Sequence, residues 1–229
     1  LRKYNINTAF DLRSMPATWV QKNMGGIVGE RLLRELNGIK SIEMKDPLLN
    51  KKMIATTRMF GKNVTSKEHI KEAIATYITR AAEKLRRQHS AATGIAVFLL
   101  KKAPIQLDAA YYSRGRQVSG YTQLDNPTQS TPDLIKAVVA IGKTLYEKGE
   151  VYKKAGVILS GFVPDSALQT NLFVAPIDTK KKKLMHVIDN MNAAYRNDVL
   201  KFGTSGTKKN WKMRSEKRSK RYTTRWDEL

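Results

Sequence analysis

Between residues 54 and 164 the apolar positions switch repeatedly between two periods. Ile70, Ala73, Ile74, Tyr77, Ala81 and Leu85 recur every three or four residues, while Lys71, Glu72, Arg80, Glu83, Lys84 and Arg87 fill the remaining positions. That spacing predicts an amphipathic helix. A capping box, Thr65-Ser66-Lys67-Glu68, starts it near Ser66, with the Thr65 hydroxyl and the Glu68 carboxylate each satisfying an orphaned backbone N–H. A second helical stripe, Leu134, Ile135, Val138, Ile141 and Leu145, follows Thr131-Pro132, an N-cap with proline at the first helical position. Residues 94–100, GIAVFLL, are apolar without helical spacing and predict a strand buried on both faces or nearly so. In residues 117–124, Val118, Thr122 and Leu124 alternate with Gln117, Ser119, Tyr121 and Gln123, the signature of a strand with one wet face. An opening strand at residues 54–60, closed by Gly61 and Lys62, and a closing strand at 152–162 complete the order β-α-β-β-α-β. The predicted class is α+β: a four-stranded sheet whose right-handed crossovers place both helices on one face.

Outside this block the patterns are shorter. Residues 1–45 predict small helices: Thr8 caps one through Leu12, Ala17 or Thr18 starts another, and Gly25-Gly26 leads into a third that Gly38 ends. A glycine turn entering a helix exposes N–H groups that can hold a phosphate, so Gly25 and Gly26 are candidate contacts; a plain inter-helix turn is the alternative. Residues 46–52, with Asp46-Pro47, predict a linker. Beyond the sheet block, residues 165–177 break regular structure, and residues 178–229 form a basic C-terminal region. That region opens on Lys180 to Lys183 and continues as a helical stripe of Leu184, Val187, Ile188, Met191 and Tyr195. From Lys208 onward bases interleave with Trp211, Tyr222 and Trp226. Such a segment either stacks and holds single-stranded nucleic acid or docks its tryptophans on the protein itself.

Charge changes the picture. The 229 residues carry 42 Lys and Arg against 20 Asp and Glu, a net +22, which favours a polyanionic partner. Lys51, Lys52, Thr57, Arg58, Lys62, Lys101, Lys102, Arg114, Arg116, Lys153 and Lys154 fall in or beside the strands. Singly, each reads as a solvated surface residue. As a set on a sheet with one bare face, they predict phosphate contacts to DNA.

Several chemistries find no support. There is no cysteine, hence no disulfide, thiolate nucleophile or cysteine-held zinc. His69, His89 and His186 lack ligand spacing, no carboxylate pair stands in a strand-turn context, and no P-loop, nucleophile elbow or dinucleotide fingerprint occurs. The chain by itself is expected to hold no cofactor and to be inactive as a catalyst. No apolar run approaches a membrane span, and a cytoplasmic, nucleoid-associated location with no membrane partner is expected. In Gln169-Thr170-Asn171-Leu172-Phe173 two large apolar residues stand in a loop-like context; they fill either the protein's own core or a partner's pocket.

Four stretches together carry a resemblance: Thr57-Arg58-Met59-Phe60-Gly61, residues 77–86 (YITRAAEKLR), residues 152–157 (YKKAGV) and Arg221-Tyr222-Thr223-Thr224-Arg225. In that order they resemble the C-terminal half of the Y-family translesion DNA polymerases, in their UmuC-like branch, over nearly the whole chain. The resemblance implies that residues 1–45 are a partial helical thumb, 53–164 the little finger that lies on the primer-template in the major groove, and 178–229 a small C-terminal domain. It implies that Gln169, Asn171, Leu172 and Phe173 dock on the sliding clamp, although Thr170-Asn171 is a polar middle for such a motif and Met59 departs from the usual small polar residue. It also implies a parent polymerase of the SOS response that uses magnesium and dNTPs through a palm lying before Leu1, with damaged DNA, UmuD′ and RecA as partners. The alternatives are a non-catalytic module for single-stranded RNA or DNA, and a basic adaptor.

Overall fold

A capping box opens the first helix. The Thr8 hydroxyl accepts from the Asp11 amide at 3.1 Å, and the Asp11 carboxylate accepts from the amides of Asn7 and Thr8, each at 2.9 Å. These donations, from Asn7 foremost, hold the Asp11 carboxyl below its ordinary pKa. The helix α1 spans Ala9–Arg13, followed by α2 at Ala17–Asn23 and α3 at Ile27–Leu36. They share a small core of Ile6, Leu12, Val20 and Leu33. The computed structural model describes residues 1–43, 50–102, 115–166, 179–195, 199–216, 218–223 and 225–228. They form two units, Leu1–Leu49 and Asn50–Leu229.

The second unit holds the predicted sheet. Strands β1 (Ile54–Val64), β2 (Ser90–Lys101), β3 (Gln117–Thr128) and β4 (Tyr152–Pro164) lie in the order β1-β4-β2-β3, every neighbouring pair antiparallel. Helices α4 (Lys67–Arg87) and α5 (Thr131–Leu145) pack on each other and on the sheet. The register puts Ile54, Leu159, Ile95 and Thr122 in one cross-strand row, and Thr56, Val157, Val97 and Gly120 in the next. These rows face the helices, where Ile70, Ile74, Ile78, Leu85, Leu134 and Val138 close the core. Each fully buried Ile or Leu contributes ~1.5–3 kcal/mol, so this face fixes the register of the whole sheet.

The helix starts differ from expectation by one residue. Ser66, not Thr65, caps α4: its hydroxyl accepts from the His69 amide at 3.4 Å and donates to Glu68 at 2.8 Å. The Thr65 carbonyl instead accepts from the Tyr146 hydroxyl at 2.9 Å. Likewise Ser130 is the N-cap of α5, and Thr131 lies inside the first turn with its hydroxyl accepting from Arg86 at 2.9 Å. The strands run past their predicted ends; β1 continues through Gly61 to Val64 after a register shift.

The last helix, α6 (Thr179–Ala194), corrects the predicted stripe. Leu184, Val187, Met191 and Tyr195 are exposed, Ile188 of the stripe is half-buried, and Met185, outside it, is the buried side chain. Polar contacts dock α6. Arg86 grips Asp189 with two bonds of 2.6 and 2.7 Å, Lys182 reaches Asp165 at 3.1 Å, and Lys181 reaches Asp133 at 3.2 Å. Burial acts against the Asp165 carboxylate, but bonds from Lys182 and Gln129 leave its pKa below the ordinary value.

Candidate nucleic-acid interface

The face of the sheet turned from α4 and α5 is built by the alternate residues of the same strands. Across it run the rows Met59, Lys154, Leu100, Gln117; then Thr57, Gly156, Phe98, Ser119; then Ala55, Ile158, Ala96, Tyr121. The middle of this face is apolar and small. A side chain at Gly156 would stand 2.5 Å from the Phe98 ring, so glycine there lets the ring lie against the backbone. Tyr121 is 60% exposed, and its hydroxyl donates to Gln123 at 2.9 Å. Phe98 and Tyr121, which look isolated along the chain, are diagonal neighbours on this bare face.

The expected cationic contacts do not coat the face evenly. Thr57 and Lys154 lie on it, with the Lys154 ammonium 5.7 Å from the centre of the Phe98 ring. Lys153 is the extra residue where the β2 and β4 pairing shifts, and Lys62 lies in the matching irregular stretch of β1. Lys102 and Arg116 are exposed just beyond the end of β2 and before β3. Thr57 lies midway along the face, whereas Lys62, Lys102, Arg116, Lys153 and Lys154 gather at one end of the sheet, where β1 and β2 finish and β3 and β4 begin. Arg58 belongs by register to the helix-bearing face, opposite Ala155, and its charge acts on Tyr77. Gly25 and Gly26, both at positive φ, form the turn before α3 in the first unit. Arg114 falls outside the described residues, as do Gln169, Asn171, Leu172 and Phe173.

Lys101 is a correction. Its side chain is 5% exposed, and its ammonium lies 2.6 Å from Glu147 and 3.2 Å from Glu150. The bond to Glu147 raises the Lys101 pKa, and the bond from Lys101 lowers that of Glu147. A lysine so paired fastens β2 to the α5–β4 connection, its charge already met by two carboxylates.

Sequence reasoning left Trp211 open, and the structure decides it. Trp211 is buried, edge-on to Phe60 at 6.3 Å and to Tyr77 at 5.8 Å, and its indole N–H donates to Glu72 at 3.2 Å. Trp226, in the same basic segment, is 88% exposed.

Two family models match the chain: the impB/mucB/samB family C-terminal domain over residues 51–172, and a domain of unknown function, DUF4113, over residues 182–229. The chain is similar to UmuC of Salmonella typhimurium, 37% identical over 100% of this chain and 53% of that protein. It is also similar to SamB of Salmonella typhimurium, 36% identical over the same shares. It thus spans about half the length of the curated relatives it matches. A solved Dbh DNA polymerase insertion ternary complex aligns with 72% of this chain and 43% of that one, at 16% identity and a TM-score of 0.40. The first model covers the whole four-stranded sheet and its two helices, and the likeness to UmuC runs the length of the chain. The chain therefore belongs to the impB/mucB/samB family and carries that family's C-terminal domain.

Proposed function

We propose that this chain is the DNA-holding and clamp-docking portion of a translesion DNA polymerase that acts in the SOS response to DNA damage. The observation that carries the reading is the coincidence of the family domain with a sheet that, among the described residues, carries its helices on one face only and has a cationic end. On this reading residues 53–164 are a little finger whose bare face lies on the primer-template, with Lys62, Lys102, Arg116, Lys153 and Lys154 contacting phosphates. Such contacts are independent of sequence, which suits a polymerase that must tolerate damaged bases. Residues 1–45 are the remaining part of a thumb whose Gly25-Gly26 turn meets the backbone, 46–52 a linker, 165–177 the clamp-binding segment, and 178–229 the C-terminal domain. Among the described residues no group of three His, Asp or Glu side chains is placed to hold a metal ion. The magnesium and dNTP chemistry belongs to the proposed parent polymerase, and no residue of this chain is assigned to it. Nor is any residue assigned to UmuD′ or RecA. Among the described residues no helix is long and apolar enough to cross a membrane.

The test is binding of a labelled primer-template duplex, by anisotropy, across a salt series. Each neutralised phosphate contributes about −0.9 to the slope of log affinity against log salt. Lys62→Ala/Lys153→Ala/Lys154→Ala is expected to weaken binding and to make the slope shallower by roughly 2–3. A flat salt response of the unsubstituted chain would overturn the reading.

Clamp docking is checked separately. The chain is expected to bind a sliding clamp with micromolar affinity, and Leu172→Ala/Phe173→Ala to weaken this at least tenfold, since apolar anchors carry most of such an interface. Unchanged binding would remove the pentapeptide from the proposal.

A further inference from the structure

The region matched by the domain of unknown function begins within α6 and continues as a strap over α4 and the free edge of β1. Here Thr76 donates to the Ser205 carbonyl at 3.5 Å, and Trp211 fills the aromatic box of Phe60 and Tyr77. Among the described residues strand β1 ends the sheet, so its outer N–H and C=O groups face no further strand there. At this edge the Gly61 amide donates to the Trp211 carbonyl at 3.1 Å. The crossing is close: a side chain at Gly61 would stand 2.2 Å from the Lys212 carbonyl oxygen and 3.1 Å from the Arg214 amide. Glycine at this position is what lets the strap lie down.

The consequence lies in what the strap carries. Lys212 and Arg214 are exposed and held beside β1 next to Lys62, at the end of the sheet that already gathers Lys153 and Lys154. Arg214 meets the Glu216 carboxylate at 3.9 Å, a loose pair with both side chains more than half exposed. Farther along, Tyr222 is 57% and Trp226 88% exposed, with the Lys220 ammonium 5.9 Å from the Tyr222 ring. Large aromatic surfaces left in water among cations match unpaired bases, which offer a stacking face that duplex DNA withholds.

We propose that residues 202–226 form a single-strand DNA-binding strap, in which Trp211 is the anchor, Lys212 and Arg214 extend the cationic end of the sheet along the sugar-phosphate backbone, and Tyr222 and Trp226 stack on unpaired bases. The inference rests on the DNA-holding reading above and adds to it the strand that the sheet itself does not grip.

The test uses the full 229-residue chain, fluorescein-labelled oligo(dT) as the single-strand probe, and a blunt duplex of the same length. Lys212→Ala/Arg214→Ala alters only exposed side chains. It is expected to weaken oligo(dT) binding about fivefold and to make its salt slope shallower by about 1.4, at ~0.7 per phosphate on a single strand, with duplex binding within twofold of the parent. Tyr222→Ala/Trp226→Ala is expected to weaken oligo(dT) binding at least fivefold at unchanged salt slope. Gly61→Val, which pushes the strap off the edge, should reproduce the first result; if that variant does not fold, the two surface variants still decide. Oligo(dT) binding unchanged in both surface variants overturns the strap while leaving duplex holding intact. Failure of the unsubstituted chain to bind either DNA overturns the DNA-holding reading itself.

Discussion

Trp211→Ala is expected to lower the stability of the second unit by about 3–4 kcal/mol, within the range found when a buried Trp or Phe is cut back to Ala. Three losses combine. The indole leaves a void beside Phe60 and Tyr77, both buried; two edge-to-face ring contacts disappear; and the Glu72 carboxylate loses the indole donor. The loss cannot exceed the free energy that holds the strap down, because beyond that point residues 202–214 would lift off and leave the sheet folded. Hydrogen exchange separates the two regimes. Lift-off exposes the Gly61 amide alone on β1, whereas destabilisation of the whole unit speeds exchange at β2 and β4 as well. Tyr77 supplies a second readout. Burial pushes its pKa up to about 12, against a smaller opposing effect of Arg58. A phenol that resists ionisation in the fold contributes stability fully present below pH 10, its ordinary value, and lost as pH rises through about 12. In Trp211→Ala the pKa of Tyr77 should fall toward 10, followed by ultraviolet difference absorption. An unmoved Tyr77 together with a stability change under 1 kcal/mol would show that Trp211 does not complete this core.

The helices and strands of the sheet were legible because each repeats its buried face many times. Ile70, Ile74, Tyr77 and Leu85 vote for the same stripe, so one dissenting residue cannot change the outcome. Features that depend on a single distant partner were not legible. Lys101 reads as a surface cation until Glu147 and Glu150 are brought beside it from the far side of α5. Trp211 and Trp226 stand in the same basic, aromatic context, and only the aromatic pair of Phe60 and Tyr77 with Glu72 separates the buried one from the exposed one. Gly61 with Lys62 reads as the close of the opening strand, yet β1 passes through it and the glycine serves the strap that crosses there. In α6 the apolar spacing is real but names the wrong face, since ion pairs from Lys181, Lys182 and Asp189 dock the helix and leave Leu184, Val187 and Met191 in water. The motif at Gln169 to Phe173 lies outside the described residues, so its reading rests on the resemblance alone.

Arg86→Ala is expected to cost about 2–4 kcal/mol, because the guanidinium satisfies three acceptors at once. Its Nε and Nη2 hold Asp189 of α6 in a two-bond fork, while Nη1 donates to the Gln129 carbonyl at 2.8 Å and the Thr131 hydroxyl at 2.9 Å. The side chain is only 11% exposed, so truncation strands a partly buried carboxylate and a carbonyl at the start of α5. Arg86→Lys keeps the charge but cannot reproduce the planar fork, and is expected to recover less than half of the loss. Asp189→Asn should cost less than Arg86→Ala, since the bonds to Gln129 and Thr131 survive it. A double-mutant cycle with Arg86→Ala and Asp189→Asn isolates the pair, for which a coupling of about 1–3 kcal/mol is expected. The spatial readout is exchange of the α6 amides, which should accelerate in every variant that breaks the fork, whereas those of β2 should respond only to Arg86→Ala through the lost anchor at the start of α5. A coupling near zero with α6 still protected would mean that Met185 and the other lysine pairs hold the helix, and that Arg86 serves the α4–α5 junction alone.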